Sequence, residues 1–142
     1  MGVLSTSYST KIYDIVLLLL RITVGCFMMS HGLGKLTKVM AAGPIEFGDP
    51  IGIGPGATIS LAIFAEVICS FLIILGLATR MAAVPLIITM LVAIFIVHAN
   101  DGFERQELPG LYLAIYILLL VTGGGKYSID QLIEGRKRKI NY

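Results

Sequence analysis

The stretch from Asp14 to Lys38, DIVLLLLRITVGCFMMSHGLGKLTK, is long and apolar enough to cross a bilayer, yet it carries Arg21, His31 and Lys35. A spanning helix needs roughly 20 mostly apolar residues. A charge inside the hydrocarbon is costly, so it faces a protein interior or a water-filled cavity. The rest of the chain must therefore supply partners for three polar groups. Hydrophobic residues make up 56% of the 142, charged residues 14%, and the mean hydropathy is +0.88. A soluble fold of this size could hardly bury that much apolar surface, whereas a membrane protein turns it to lipid. The net charge of +2 is too small to point to a nucleic-acid partner.

Four apolar segments stand out, at about 12–36, 57–78, 81–98 and 107–122. Backbone groups in lipid must bond internally, so these are helices. The expectation is one all-α domain, an integral membrane four-helix bundle. The run Ile15–Leu20 is broken by Arg21, and the span continues beyond a signal-peptide core, so the first segment is read as retained. Spans two and three are joined by little more than Thr79 and Arg80, which makes them antiparallel neighbours. Between spans one and two, Pro44, Pro50 and Pro55 rule out a continuous helix. That loop is apolar enough to pack on the bundle mouth, either as a lid or as an interfacial connector. Cys26 and Cys69 form no CxxC, and an estimated offset of roughly 7 Å in depth argues against a bridge.

After Gly123-Gly124-Gly125, the segment KYSIDQLIEGRKRKINY carries Ser128 and Gln131 at capping-box spacing. Ile129, Leu132 and Ile133 give a short amphipathic helix suited to the membrane surface. Arg136, Lys137, Arg138 and Lys139 suit anionic lipid headgroups. Lys11, Arg80, Lys126 and this basic run fall on one side, outweighing Lys35, Lys38 and Arg105 on the other. By that asymmetry both termini are cytoplasmic, in the inner (plasma) membrane of a bacterium.

Helical spacing aligns Arg21, Gly25, Met28, Gly32 and Lys35 in one stripe, and Ala62, Glu66, Cys69, Ile73 and Gly76 in another. The glycines allow close helix approach, so the two stripes are expected to pack together. Counting from the span ends puts Arg21 and Glu66 within about 5 Å in depth, which makes them the natural ion pair. His31, Lys35, His98, Asn100 and Asp101 then extend a polar path to the outer mouth, with Tyr112 and Tyr116 as candidate pocket walls. Each has a plainer reading. Arg21 and Glu66 could serve only helix register, His98 only as an interfacial cap, His31 only as a hydrogen-bond donor to a neighbouring helix. Lys35 could simply reach the headgroups, and the tyrosines could be core aromatics. No HxxH or ExxH spacing supports a metal site, and none is assigned.

The segment LLLLRITVGCFMMSHGLGKL resembles the opening span of the DoxX family, with its arginine followed ten residues later by HG-x-x-KL. The resemblance continues through AEVICSFLIILGLATRMAAVPLIITMLVAIFIVH, the ANDGF turn and GGGKYSID. It implies a small four-span membrane protein and maps the family's arginine, histidines and glutamate onto Arg21, His31, His98 and Glu66. Family members include a membrane subunit of a thiosulfate:quinone oxidoreductase. The implied role is a membrane subunit of an oxidoreductase system handling a quinone or a small sulfur compound. Glu66, His31 and His98 would move protons, and Arg21, Lys35, Asn100, Asp101, Tyr112 and Tyr116 would hold the substrate.

The sequence has no haem, flavin or iron–sulfur motif, so no cofactor is intrinsic; a quinone is the candidate, and the electrons of a redox role come from a redox partner subunit or directly from the substrate. The competing reading is a non-catalytic assembly partner or small-molecule carrier, in which the polar cluster specifies packing or holds a ligand without turnover. A channel is the weakest alternative, because four short spans would need a homo-oligomer to enclose a pore.

Overall fold

The computed structural model describes residues 9–41, 43–44 and 47–140, with the side chains of 137–140 left aside. Ile45, Glu46 and the side chains of Lys137, Arg138 and Lys139 therefore lie outside the described residues. Among the described residues every regular element is a helix. Helix α1 is Thr10–Met40, α2 is Pro55–Leu75 and α3 is Thr79–Val97. Helix α4 is Phe103–Thr122 and α5 is Ile129–Ile140. The first three are long and apolar enough to cross a membrane.

Helix α1 packs along α2, α2 against α3, and α3 along α4. The two glycine-bearing stripes do meet. A Cβ on Gly25 would lie 3.1 Å from the Ser70 carbonyl oxygen, and one on Gly32 would lie 2.8 Å from the Glu66 Cβ. Leu17, Val24, Met28, Cys69, Ile73, Leu86, Tyr116 and Leu119 fill the core. The large side chains on the opposite faces, such as Phe27, Phe71 and Phe95, are exposed as lipid-facing residues would be. Cys69 is buried and Cys26 exposed, and both are free.

The hairpin between α2 and α3 is longer than the expected Thr79-Arg80 link, because α2 ends earlier. Gly76 sits at φ 67°, ψ 38°. The Leu77 amide donates to the Leu72 carbonyl at 3.0 Å, and the Gly76 amide to the Ile73 carbonyl at 3.1 Å. This is a Schellman stop, which favours glycine at that position. Thr79 and Arg80 instead open α3. The Asp130 carboxylate accepts from the Ala78 amide at 2.7 Å and the Thr79 amide at 3.0 Å, so it caps α3 from a distant part of the chain. The Ser128 half of the capping box is formed, with the Gln131 amide donating to the Ser128 Oγ at 3.2 Å.

A Cβ at Gly76 would strike the Arg21 guanidinium and the Ser128 Cβ. Gly76→Ala therefore combines a left-handed alanine with a clash and is expected to cost about 2–4 kcal/mol. Denaturant unfolding in mixed micelles checks this; an unchanged midpoint would contradict the packing described here.

Candidate functional site

The polar residues gather in two separate centres, one at each end of the α1–α2 interface. At the end near the α2–α3 turn, Arg21 is 0% exposed and its Nη2 donates to the Tyr127 carbonyl at 2.7 Å. Its Nε and Nη1 are buried without a protein hydrogen-bond partner. At the end near the α1–α2 loop, the Lys35 Nζ donates to the Glu66 Oε2 at 2.5 Å. Glu66 is 4% exposed, and the lysine is the group that compensates its charge.

The expected Arg21–Glu66 pair is therefore not made. Glu66 stands level with Gly32, whereas Arg21 stands level with Gly76. Eleven residues separate Arg21 from Gly32, about 16 Å of helix rise. The depth estimate failed because it used span ends as membrane borders. Helix α1 is 31 residues long and overshoots a bilayer, so its first residue is no depth marker.

Two helices are locally unwound near the Lys35–Glu66 centre. Phe64–Cys69 in α2 and Ala93–Val97 in α3 are π-helical. Such turns widen a helix at the cost of regular hydrogen bonding, and they occur frequently at functional sites. Glu66 lies within the first and His98 directly follows the second. Both face a pocket of about 560 Å³, within the usual range for a small-molecule site.

The pocket walls are mostly apolar. Leu61, Phe64, Ala65, Ile88, Val92 and Val97 come from α2 and α3, and Phe47, Pro50 and Ile51 from the loop. Thr58 and Thr89 also line it, but their hydroxyls are already donated, to Asp49 at 2.7 Å and to the Pro85 carbonyl at 2.8 Å. Lys35, Glu66 and His98 are left as its polar contacts. Leu61, Phe64 and Ile88 are also on the lipid-facing surface, each about half exposed. The pocket thus borders the hydrocarbon layer between α2 and α3.

Asn100, Asp101, Tyr112, Tyr116 and His31 are not part of the pocket wall. The His98 Nδ1 lies 2.7 Å from the Asp101 Oδ2, so the acid orients the imidazole. The Gln106 side chain donates to the His98 carbonyl at 2.8 Å and anchors the same turn. Asn100 belongs to this turn and is exposed. Tyr112 and Tyr116 stack on each other at 6.1 Å, and His31 meets Tyr112 edge-on at 6.3 Å. This aromatic group lies outside the pocket wall, in the core contacts of α4. The Tyr116 hydroxyl is buried without a protein hydrogen-bond partner.

The loop holds one residue that spacing alone did not single out. Asp49 Oδ1 accepts from the Ile53 amide at 3.1 Å and from the Thr58 hydroxyl, and Oδ2 accepts from the Gly54 amide at 2.7 Å. The Thr58 hydrogen bond, with the Gly54 one next, holds the Asp49 carboxyl below the usual carboxylate range. A usable signal existed: an aspartate shortly ahead of a Gly-Pro helix start.

Comparison with known proteins bears on this arrangement. The DoxX family model matches residues 16–99, a segment that includes Arg21, Lys35, Glu66 and His98. A Haemophilus influenzae protein named "Uncharacterized protein" is 36% identical over 78 residues, covering 52% of this chain and 52% of its own length. The chain thus spans about half the length of that relative. The Bacillus subtilis protein named "Putative oxidoreductase CatD" is 32% identical over 89% of this chain and 94% of its own. The Escherichia coli protein named "Inner membrane protein YqjF" is 31% identical over 87% of this chain and 96% of its own. No solved structure matches the chain. With three helices fit to cross a bilayer and a family match over more than half its length, the chain is an integral membrane protein and belongs to the DoxX family.

Proposed function

We propose that the pocket beside Glu66 binds a quinone or a small sulfur compound on behalf of a membrane oxidoreductase system. The observation that carries this reading is the composition of the pocket. It pairs a largely apolar wall with one buried carboxylate, one amine and one imidazole. An apolar ring system suits the wall, and its polar oxygen suits the Lys35 ammonium. Reducing a quinone to a quinol takes two electrons and two protons. Glu66 and His98 are placed to hold the protons, and Asp101 sets the imidazole. His31 and the tyrosine pair supply a second polar route behind the wall. The electrons come from a redox partner subunit. The name of the Bacillus subtilis relative supports the oxidoreductase association.

In this reading α4 is a fourth span beside α3, which completes a four-helix bundle. The termini are cytoplasmic and the loop faces outward, in keeping with Arg80, Lys126 and Arg136 at the opposite end from Lys35. Helix α5 lies on the inner membrane surface, with its exposed Leu132 and Ile133 turned to lipid.

The test is calorimetric titration of the protein in lipid nanodiscs with decylubiquinone and, separately, with thiosulfate. One of the two is expected to bind. His98→Gln, which removes a titratable contact but keeps a polar side chain, is expected to weaken that binding by about three- to tenfold. Binding of neither compound would overturn the reading. Binding without turnover in any reconstituted preparation would favour the carrier.

A further inference from the structure

The pocket has a roof, and its anchor is a single carboxylate. Phe47, Pro50 and Ile51 of the loop between α1 and α2 line the pocket on one side. Pro50 and Ile51 follow Asp49 directly. Asp49 reaches forward over its own loop and accepts from the Ile53 and Gly54 amides. It also accepts from Thr58, which lies in the first turns of α2 and is buried. Gly52 and Gly54 take positive φ values of 72° and 99° within the same loop, so the chain can fold back around the carboxylate. The loop thereby gains a fixed attachment to the helix that carries Glu66.

We infer that Asp49 is a positioning residue that holds the Phe47–Ile51 roof over the pocket and so controls how long a ligand stays there. This rests on the pocket being the ligand site. Asp49 touches no ligand itself, because its oxygens face its own loop. Its effect passes through the roof residues on either side of it. A residue that merely capped α2 would alter stability alone. A roof anchor alters ligand residence as well, because the apolar cover closes only while the loop is tied down. Asparagine at this position keeps one acceptor oxygen but turns an N–H group toward donors, so it cannot replace all three bonds.

The experiment compares wild type, Asp49→Asn and Thr58→Val in nanodiscs. Amide exchange of the segment Phe47–Gly54 is followed by mass spectrometry without ligand, and decylubiquinone dissociation is followed separately. Asp49→Asn is expected to speed exchange in this segment severalfold, with helical peptides of α1 and α3 unchanged. It is also expected to speed dissociation severalfold, and Thr58→Val to do both to a smaller extent. Thr58→Val carries the test alone if Asp49→Asn fails to fold. Unchanged exchange would overturn the inference. Faster exchange with unchanged dissociation would overturn it also, leaving Asp49 as a cap. If wild type binds no decylubiquinone, the quinone reading fails, and dissociation of thiosulfate is compared in the same three proteins; unchanged thiosulfate dissociation, or no binding of it either, overturns the inference.

Discussion

Glu66→Gln is expected to abolish turnover of the bound compound and to lower stability by about 1–3 kcal/mol. Glutamine fills nearly the same volume, so the cost is electrostatic. The Lys35 side chain would lose its 2.5 Å partner while facing an apolar wall. Breaking a buried pair from one side costs about 3–5 kcal/mol, but Lys35 is 26% exposed and can swing toward the headgroups. That escape is the reason for the smaller range. The double variant Lys35→Met with Glu66→Gln is expected to regain most of the lost stability and none of the activity. A double-mutant cycle by denaturant unfolding gives the coupling between the two residues. Full activity in Glu66→Gln would remove the carboxylate from the mechanism.

Gly32→Val has a second large effect, through geometry rather than charge. A Cβ at Gly32 would lie 2.7 Å from the Val67 Cγ2 and 2.9 Å from the Glu66 carbonyl carbon. The backbone atom cannot withdraw, so α1 and α2 must separate. Overpacking of this kind costs about 1–3 kcal/mol. It also displaces Lys35, one turn further along α1, from the Glu66 carboxylate. Ligand affinity is therefore expected to fall at least tenfold, the size of one lost charge-assisted bond. Gly34→Val is the control, since a Cβ there meets nothing within 4 Å. It is expected to leave both stability and affinity near wild type. Equal effects of the two substitutions would contradict the close approach at Gly32.

The helical pattern made much of this legible in the sequence. The stripe from Arg21 to Lys35 and its counterpart through Glu66 and Cys69 follow from periodicity, and the small residues in them marked the contact. The Ser128–Gln131 spacing marked a helix start, whereas the stop at Gly76 was missed, because the apolar run continues to residue 78 and Gly76 also fits the helical stripe. The partner of Glu66 was not legible, because it depends on how far α1 slides past α2. A shift of a few turns leaves both stripes intact and exchanges Arg21 for Lys35. The π-helical turns at Phe64–Cys69 and Ala93–Val97 have no residue signature, yet they bring Glu66 and His98 to one pocket. Tyr112 and Tyr116 could be placed on a face of α4 from their spacing, but not on one side of a wall. The roof was visible as an apolar loop, whereas its attachment through Asp49 needed the folded turn.

The central claim is that ligand chemistry takes place between α2 and α3, beside Glu66. Photolabelling of the lipid-embedded protein with an azidoquinone, followed by peptide mapping, tests it most directly. The account expects labels concentrated in residues 47–66 and 85–98, reduced by excess decylubiquinone and weakened in Gly32→Val. Labels confined to segments other than these two, or spread evenly over the lipid-facing surface and indifferent to competitor, would contradict it.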